Sequence, residues 1–352
     1  MLRIGKIDGH PSCVKIAKDA MNQSVLVTGT SGSGKTVALQ RMECSLAEQG
    51  IPILVLNFHG THAKNQIYPP LQEHYEMLTD RVDVKSNGIS LNLLAPITHP
   101  DGSGECCEEV ANAVVEAFDD VFSLGYRQRS VLRNAILWGM ANRKGISNDI
   151  EVIEWGLKMQ DSSEAEKVLE KFWGIFYSGI FRSTGQFLRS GRITILELES
   201  FDVRTQRLMA ELVLSSIWRY AVVAGQYAKV PVYIVIDEFQ NLSLTSNSIL
   251  TSYLREGRKY NLALLLSTQT LEVFGKEKKA LLQQVAVRCY FRPASAELSV
   301  VAKEIDKAQY KLWFEKLAGL GKGVFIAAGR FEVEGCIVEK PLILRDEVGG
   351  NG

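Results

Sequence analysis

The chain carries short unbroken apolar stretches, among them Val25-Leu26-Val27, the run from Ile51 to Leu56, and Val230 to Ile236. Segments of this length, apolar at successive positions and rich in β-branched residues, suit strands covered on both faces, as in a parallel sheet. Elsewhere the period lengthens. Val37 to Gln49, Glu105 to Phe122, Tyr126 to Arg143, Ser163 to Tyr177, Thr205 to Val223 and Ser246 to Tyr260 repeat apolar residues at helical spacing. Strand, helix and strand between Val25 and Leu56 make a βαβ crossover. Further strands are expected at Arg192–Glu197, Leu262–Leu266 and Val285–Phe291, and one or two helices in Leu298–Leu320. Arg3–Ile7 and Cys13–Ala17 read as a strand pair around the turn Asp8-Gly9-His10-Pro11, and Val324–Ala328 with Phe331–Val338 as a closing hairpin. The stretch from Thr61 to Thr98 reads weakly: Pro69-Pro70 breaks any helix, and Ile89 to Leu94 fits a strand. The expected fold is α/β, a mainly parallel sheet flanked by helices. Residues 1–352 form one domain in this reading, with a helical insertion at 100–182.

Composition changes this picture little. The chain has 352 residues, 46% of them hydrophobic, enough for a large core. Lys+Arg and Asp+Glu both number 40, so a strongly basic nucleic-acid coat is absent and DNA contact would need a local patch or several subunits. Cys13, Cys44, Cys106, Cys107, Cys289 and Cys336 form no C-x-x-C pair, which points to reduced thiols and a cytoplasmic protein. His59, His62, His74 and His99 lack metal-ligand spacing. The N-terminus has no apolar signal segment, and no uncharged run approaches the roughly 18 residues of a membrane span.

The chemistry is concentrated in a few places. After Val25-Leu26-Val27-Thr28 comes Gly29-Thr30-Ser31-Gly32-Ser33-Gly34-Lys35-Thr36, then a helix. A glycine-rich loop between strand and helix is the context of a phosphate-binding P-loop. The plainer alternative, a glycine turn beside a lysine, does not need that flanking strand and helix. Gly29, Gly32 and Gly34 allow backbone N–H groups to turn around a polyphosphate, and the helix start adds unpaired N–H groups. Lys35 would neutralise the terminal phosphates of ATP, and Thr36 would hold Mg²⁺.

Val232 to Ile236 ends in Asp237-Glu238. Beside a P-loop, Asp237 fits the magnesium shell and Glu238 the activation of an attacking water, which favours hydrolysis over transfer to a small substrate. Gln269 closes the following strand in Ser267-Thr268-Gln269-Thr270 and could sense the γ-phosphate if that strand lay between those of the P-loop and Asp237. Arg255 and Arg258 stand three apart in Leu254-Arg255-Glu256-Gly257-Arg258-Lys259-Tyr260. They are either a solvated surface or the source of an arginine finger, Arg258, that serves a neighbouring subunit.

Residues 25–36, Ile-Asp-Glu-Phe-Gln at 236–240 and Arg-Glu-Gly-Arg-Lys-Tyr-Asn-Leu-Ala-Leu-Leu-Leu-Ser-Thr-Gln at 255–269 resemble the HerA/FtsK superfamily of ring-forming, DNA-pumping ATPases. The last stretch is also similar to conjugative VirB4 and coupling ATPases. The likeness covers most of 20–340. It implies a RecA-like core, a homo-hexamer with ATP hydrolysed between subunits, Arg258 as the finger acting in trans, and Gln269 as the sensor. Asn57 stands where the family often has an acidic residue. Only 28 residues precede Gly29, so an N-terminal β-barrel is not expected and a role tied to it, such as docking a nuclease, does not carry over from the resemblance; a nuclease or a conjugation channel remains a candidate partner.

Two basic clusters are candidates for a DNA track: Arg182, Arg189 and Arg192, and Lys276, Lys278 and Lys279. Taken singly, each cluster reads more simply as a solvated loop. The expected activity is an ATP-driven translocase on duplex DNA, with little sequence preference. Its rivals are a VirB4-like ATPase energising a conjugation or secretion channel, which would need a membrane partner, and an ATP-binding switch or scaffold. No Leu-Ser-Gly-Gly-Gln signature of an ABC ATPase occurs.

Overall fold

A computed structural model describes residues 1–99, 101–143, 145–146, 148–176, 180–181, 187–225 and 230–346. Its centre is one 13-stranded sheet. The parallel part contains β3 (Val25–Thr28), β4 (Ile53–Asn57), β5 (Thr79–Asp83), β6 (Ile193–Glu197), β7 (Val232–Ile236), β8 (Leu262–Thr268) and β9 (Val287–Tyr290). They lie side by side in the order β9-β3-β8-β7-β4-β6-β5. Every residue of β3, β4 and β8 is buried, which is why these strands carry no alternation in the sequence.

Beyond β9 the sheet turns antiparallel through β10 (Val324–Gly329), β13 (Leu342–Arg345), β1 (Arg3–Ile7), β2 (Cys13–Ile16), β11 (Phe331–Val333) and β12 (Cys336–Val338). The strand pair at the N-terminus is present as expected. The closing hairpin is not. β10 pairs with β9 and β13, whereas β11 pairs with β2 and turns tightly into β12. Glu334 and Gly335, both at positive φ, form the two-residue turn between β11 and β12, a backbone shape suited to a tight hairpin. Gly329 packs against the backbone at Ala286 and Val287, which anchors β10 to β9.

Two further expectations need correcting. Ile89 to Leu94 is not a strand; Ile89 makes only an isolated bridge to Phe181. The edge of the sheet is instead β5, whose mixed Thr-Asp-Arg-Val-Asp sequence is half exposed and so lacks an apolar signature. Ser246–Tyr260 is also not one helix. α9 (Ile249–Glu256) gives way to a 3₁₀ turn at Gly257–Tyr260, where a side chain at Gly257 would meet the Leu262 carbonyl at 2.8 Å.

Helices cover both faces. On one lies α1 (Lys35–Ala47) with α2 (Gln72–Leu78) and its apolar cluster. On the other, α8 (Val203–Ala224) packs with α4 (Cys107–Phe122), α5 (Tyr126–Asn142), α6 (Asp149–Lys158) and α7 (Ser163–Phe176). The last four stand between β5 and β6 in the chain. α6 was not legible beforehand; it starts where the Asn148 side chain accepts from the Ile150 N–H. Phe172 stacks near Phe118 and Phe122 (4.5 and 4.9 Å), knitting α7 to α4. Buried Arg219 of α8 binds both oxygens of Glu105 at 2.7 Å and the Leu93 carbonyl at 2.8 Å, fastening the irregular stretch before α4 to the core. The short helices α3 (Val84–Asn87), α10 (Lys276–Leu282), α11 (Leu298–Ile305) and α12 (Tyr310–Ala318) complete the fold. Leu298–Leu320, expected to hold one or two helices, holds two.

Candidate functional site

Strand register assembles the site. Thr28 aligns with Thr268 of β8 on one side and Tyr290 of β9 on the other. Ile236 aligns with Leu266 of β8 and Leu56 of β4. The residues leaving these strands, Gly29, Asp237 and Gln269, and Asn57 at the end of β4, therefore emerge together at the C-terminal edge of the parallel sheet. β8 does lie between the P-loop strand and the Asp237 strand. In open α/β sheets this edge is where ligands bind.

The loop is held in a shape that only glycine allows at two points. Gly29 has φ 145°, and a Cβ there would stand 2.6 Å from the Phe291 Cβ; Gly34, at φ 112°, faces the backbone of Gly323 at 3.1 Å. Thr30 donates from both N–H and Oγ1 to the Arg292 carbonyl, each at 3.0 Å, and Ser33 donates through Oγ to Thr30 O. Lys35, almost wholly buried, donates from Nζ to the carbonyls of Gly29 (2.7 Å) and Thr30 (3.0 Å). Burial lowers its pKa, opposed by the negative charges of Asp237 and Glu238. An ammonium largely withdrawn from water, with two backbone carbonyls as its hydrogen-bond partners, is suited to a polyphosphate. Gly32 and Ser31 remain at the exposed rim of the loop, and Thr36 opens α1.

Asp237 is buried, and its Oδ1 accepts from the Glu238 N–H at 3.1 Å. Glu238 itself sits at φ 54°, a conformation uncommon for a side-chain-bearing residue and often found at functional sites. Its carboxylate is gripped on both oxygens: Gln269 Nε2 donates to Oε1 at 2.6 Å and Gln240 Nε2 to Oε2 at 2.5 Å. The structure thus brings Lys35, Asp237, Glu238 and Gln269 into one cluster.

Arg258 stands apart. It precedes β8, and its Nη1 donates to the Met21 carbonyl at 2.9 Å, close to where β3 begins. The seven residues of β8 separate it from Gln269, a distance of roughly 23 Å. It cannot reach the nucleotide site of its own chain. Arg255, on the last turn of α9, leans toward the Ser246 carbonyl. Of the candidate DNA contacts, Arg189 and Arg192 are both taken up by ion pairs with Asp80 (2.5 and 2.7 Å), which tie β5 to the start of β6. Arg182 lies outside the described residues. Lys276 and Lys278 are exposed on α10, just beyond the Gln269 loop.

The profile described as "Helicase HerA, central domain" matches residues 2–217. The chain belongs to the HerA central-domain family. The match takes in the P-loop, while Asp237, Glu238, Arg258 and Gln269 follow it in the chain. Among solved structures, VirB4 of Thermoanaerobacter pseudethanolicus superposes with TM-score 0.68 at 14% identity, over 99% of this chain and 96% of that one. The unbound bacterial conjugative coupling protein TrwBdeltaN70 gives 0.63 at 13% identity, over 95% and 87%. TrwB in complex with the non-hydrolysable ATP analogue ADPNP gives 0.64 at 13%, over 93% and 86%. No curated protein matches the sequence. The fold is therefore that of a HerA-type P-loop ATPase, an α/β core with a large parallel sheet.

Asn57, marked in the sequence by its departure from an acidic residue, joins a buried network whose other members had no clear sequence signal. Asn57 is fully buried beside the Asp237 strand; its Oδ1 accepts from the His62 N–H at 3.3 Å, while its Nδ2 makes no hydrogen bond to the described residues. His62 in turn contacts Glu43 of α1 at 3.0 Å, and Tyr75 donates to the other Glu43 oxygen at 2.5 Å, a buried network joining the P-loop helix to the loop after β4. Burial works most strongly against a charged His62, but the charge and hydrogen bond of Glu43 together with the charge of Asp237 raise its pKa. Gln240 could also have been suspected, two residues from Glu238 at a strand end.

Proposed function

We propose that this chain is an ATP-hydrolysing ring motor that moves duplex DNA, with the reaction shared between neighbouring subunits. The observation that carries the reading is the separation of parts. Lys35, Asp237, Glu238 and Gln269 share one edge of the sheet, whereas Arg258, the one finger candidate with a matching family position, is at the opposite edge. A complete site would need a second copy whose Arg258 edge abuts the first copy's P-loop.

In this reading the amides from Gly29 to Thr36 and the Lys35 ammonium bind the phosphates of ATP. The residues present also suit Mg²⁺: Asp237 offers a buried carboxylate and Thr36 a hydroxyl at the helix start. Bound there, the ion would neutralise charge on the phosphates. Glu238 takes the proton of the water that attacks the γ-phosphorus, as the bond to the ADP oxygen breaks. Each of its oxygens already accepts one amide hydrogen bond, which makes the carboxylate a weaker base. Gln269 turning toward a γ-phosphate oxygen would free Oε1, linking the arrival of ATP to the availability of the base. Arg258 from the neighbour would stabilise the charge of the transition state.

Supporting a second reading, a VirB4-like ATPase at a conjugation or secretion channel, is the end-to-end fold match with VirB4. No helix among the described residues is long and apolar enough to cross a membrane. The deciding experiment measures ATPase activity with and without duplex DNA alongside particle symmetry. Duplex-stimulated turnover by six-fold rings is expected. Rings whose turnover ignores DNA would favour the channel ATPase, and a solitary chain without stimulation would leave only the switch.

A further inference from the structure

The stretch that follows β9 touches the nucleotide cluster twice. Its first residues brace the P-loop: Phe291 packs on Gly29, and the Arg292 carbonyl accepts from Thr30. Its last residue, Glu297, reaches the loop that leaves β8. Glu297 is 5% exposed, and a single carboxylate oxygen, Oε1, accepts from Thr270 Oγ1 at 2.5 Å, Leu271 N–H at 3.0 Å and Glu272 N–H at 3.2 Å. These three donors belong to the residues directly after Gln269. Thr268 Oγ1 further donates to the Thr270 carbonyl at 3.1 Å, so the backbone on either side of Gln269 is held.

Resting on the ATPase reading above, we infer that Glu297 is a positioning residue for hydrolysis: it fixes the turn from which Gln269 bonds Glu238, and so sets sensor and base relative to the P-loop. A buried carboxylate with three donors on one oxygen is an expensive arrangement to keep for loop shape alone, since backbone N–H groups at a surface turn can be met by water. Without Glu297 the turn loses its common acceptor: the buried Leu271 N–H is left without a partner, the Glu272 N–H keeps only Thr270 Oγ1 at 3.1 Å, and Gln269 can drift from Glu238. The P-loop, braced through Arg292 and Phe291, keeps its grip on nucleotide. The effect therefore falls on turnover and spares binding.

The test is steady-state ATPase kinetics with binding of a fluorescent ATP analogue, for the native chain, Glu297→Ala, Glu297→Gln, Gln269→Ala and the Glu297→Ala/Gln269→Ala double variant. Misplacing reacting groups by about an ångström costs on the order of a hundredfold, so kcat of Glu297→Ala should fall about ten- to a hundredfold. Analogue affinity should stay within about threefold, a change too small to reflect a lost phosphate contact. Glu297→Gln, which keeps Oε1 as an acceptor, should recover most of the turnover. In the Gln269→Ala background the Glu297 substitution should cost little more, because both act through one element. Additive losses, or an unchanged kcat in Glu297→Ala, overturn the inference. If Glu297→Ala does not fold, Thr270→Val removes the hydroxyl that donates to Glu297 and accepts from the Glu272 N–H, and should show the same non-additivity with Gln269→Ala; additivity there overturns it equally. A native chain that binds the analogue but never hydrolyses ATP defeats the ATPase reading itself, and this inference with it.

Discussion

Replacing Glu211 by glutamine should stabilise the protein, and more so as the pH rises. Glu211 lies on the buried face of α8, 2% exposed, and its Oε2 has no hydrogen-bond partner among the described residues. Burial, with a smaller push from the Asp120 charge, raises its pKa from 4.5 to about 8, against the opposing pull of the Ser243 N–H and Arg207. Ser243 belongs to the loop that leaves the Asp237-Glu238 turn, so this acid supports the site from behind. The native state thus keeps a proton that the unfolded chain releases above its ordinary pKa. Such a group contributes most below the unfolded pKa, and stability falls as the pH climbs toward the folded value. With those two pKa values the cost relative to acid conditions is about 1 kcal/mol at pH 5 and about 3 kcal/mol at pH 7. Glutamine fills the same volume and never ionises, so Glu211→Gln should gain roughly these amounts. The nearby acids Asp120 and Glu116, also raised by burial, add slope to both proteins and largely cancel in the difference. Urea unfolding at several pH values measures the gap. A variant no more stable than the native chain at pH 7, or an advantage that does not widen from pH 5 to pH 7, would refute the reasoning.

Other outcomes are expected at the site. Lys35→Ala should abolish tight nucleotide binding, read by analogue titration; unaltered affinity would mean the phosphates sit elsewhere. Glu238→Gln should retain ATP yet slow hydrolysis by about a hundredfold or more, seen in single-turnover assays. Mixing Arg258→Ala subunits with Glu238→Gln subunits should restore part of the lost turnover, since one intact interface can form; no recovery at any ratio would return Arg258 to a surface role. Gly29→Ala places a Cβ against Phe291 at a backbone angle side chains avoid, and should cost about 2 kcal/mol or more of stability in thermal or urea unfolding.

How much of this was readable in advance depended on how local the cause was. Val25–Thr28 and Val232–Ile236 declare themselves because a strand buried on both faces must be apolar throughout, and the P-loop because its glycines, lysine and threonine act within one turn of chain. β5 stayed hidden because an edge strand tolerates Thr, Asp and Arg, and the hairpin was misassigned because alternation says nothing about which strand is the partner. Residue order alone thus determined the α/β class, the phosphate loop and the paired acids. Only the tertiary structure decided that Gln269 and Gln240 hold Glu238, that Glu297 anchors the sensor turn, and that Arg258 faces away from its own nucleotide site. Those facts depend on strand register and on contacts between residues far apart in the chain, where a shift of one position or one neighbouring strand would join different side chains.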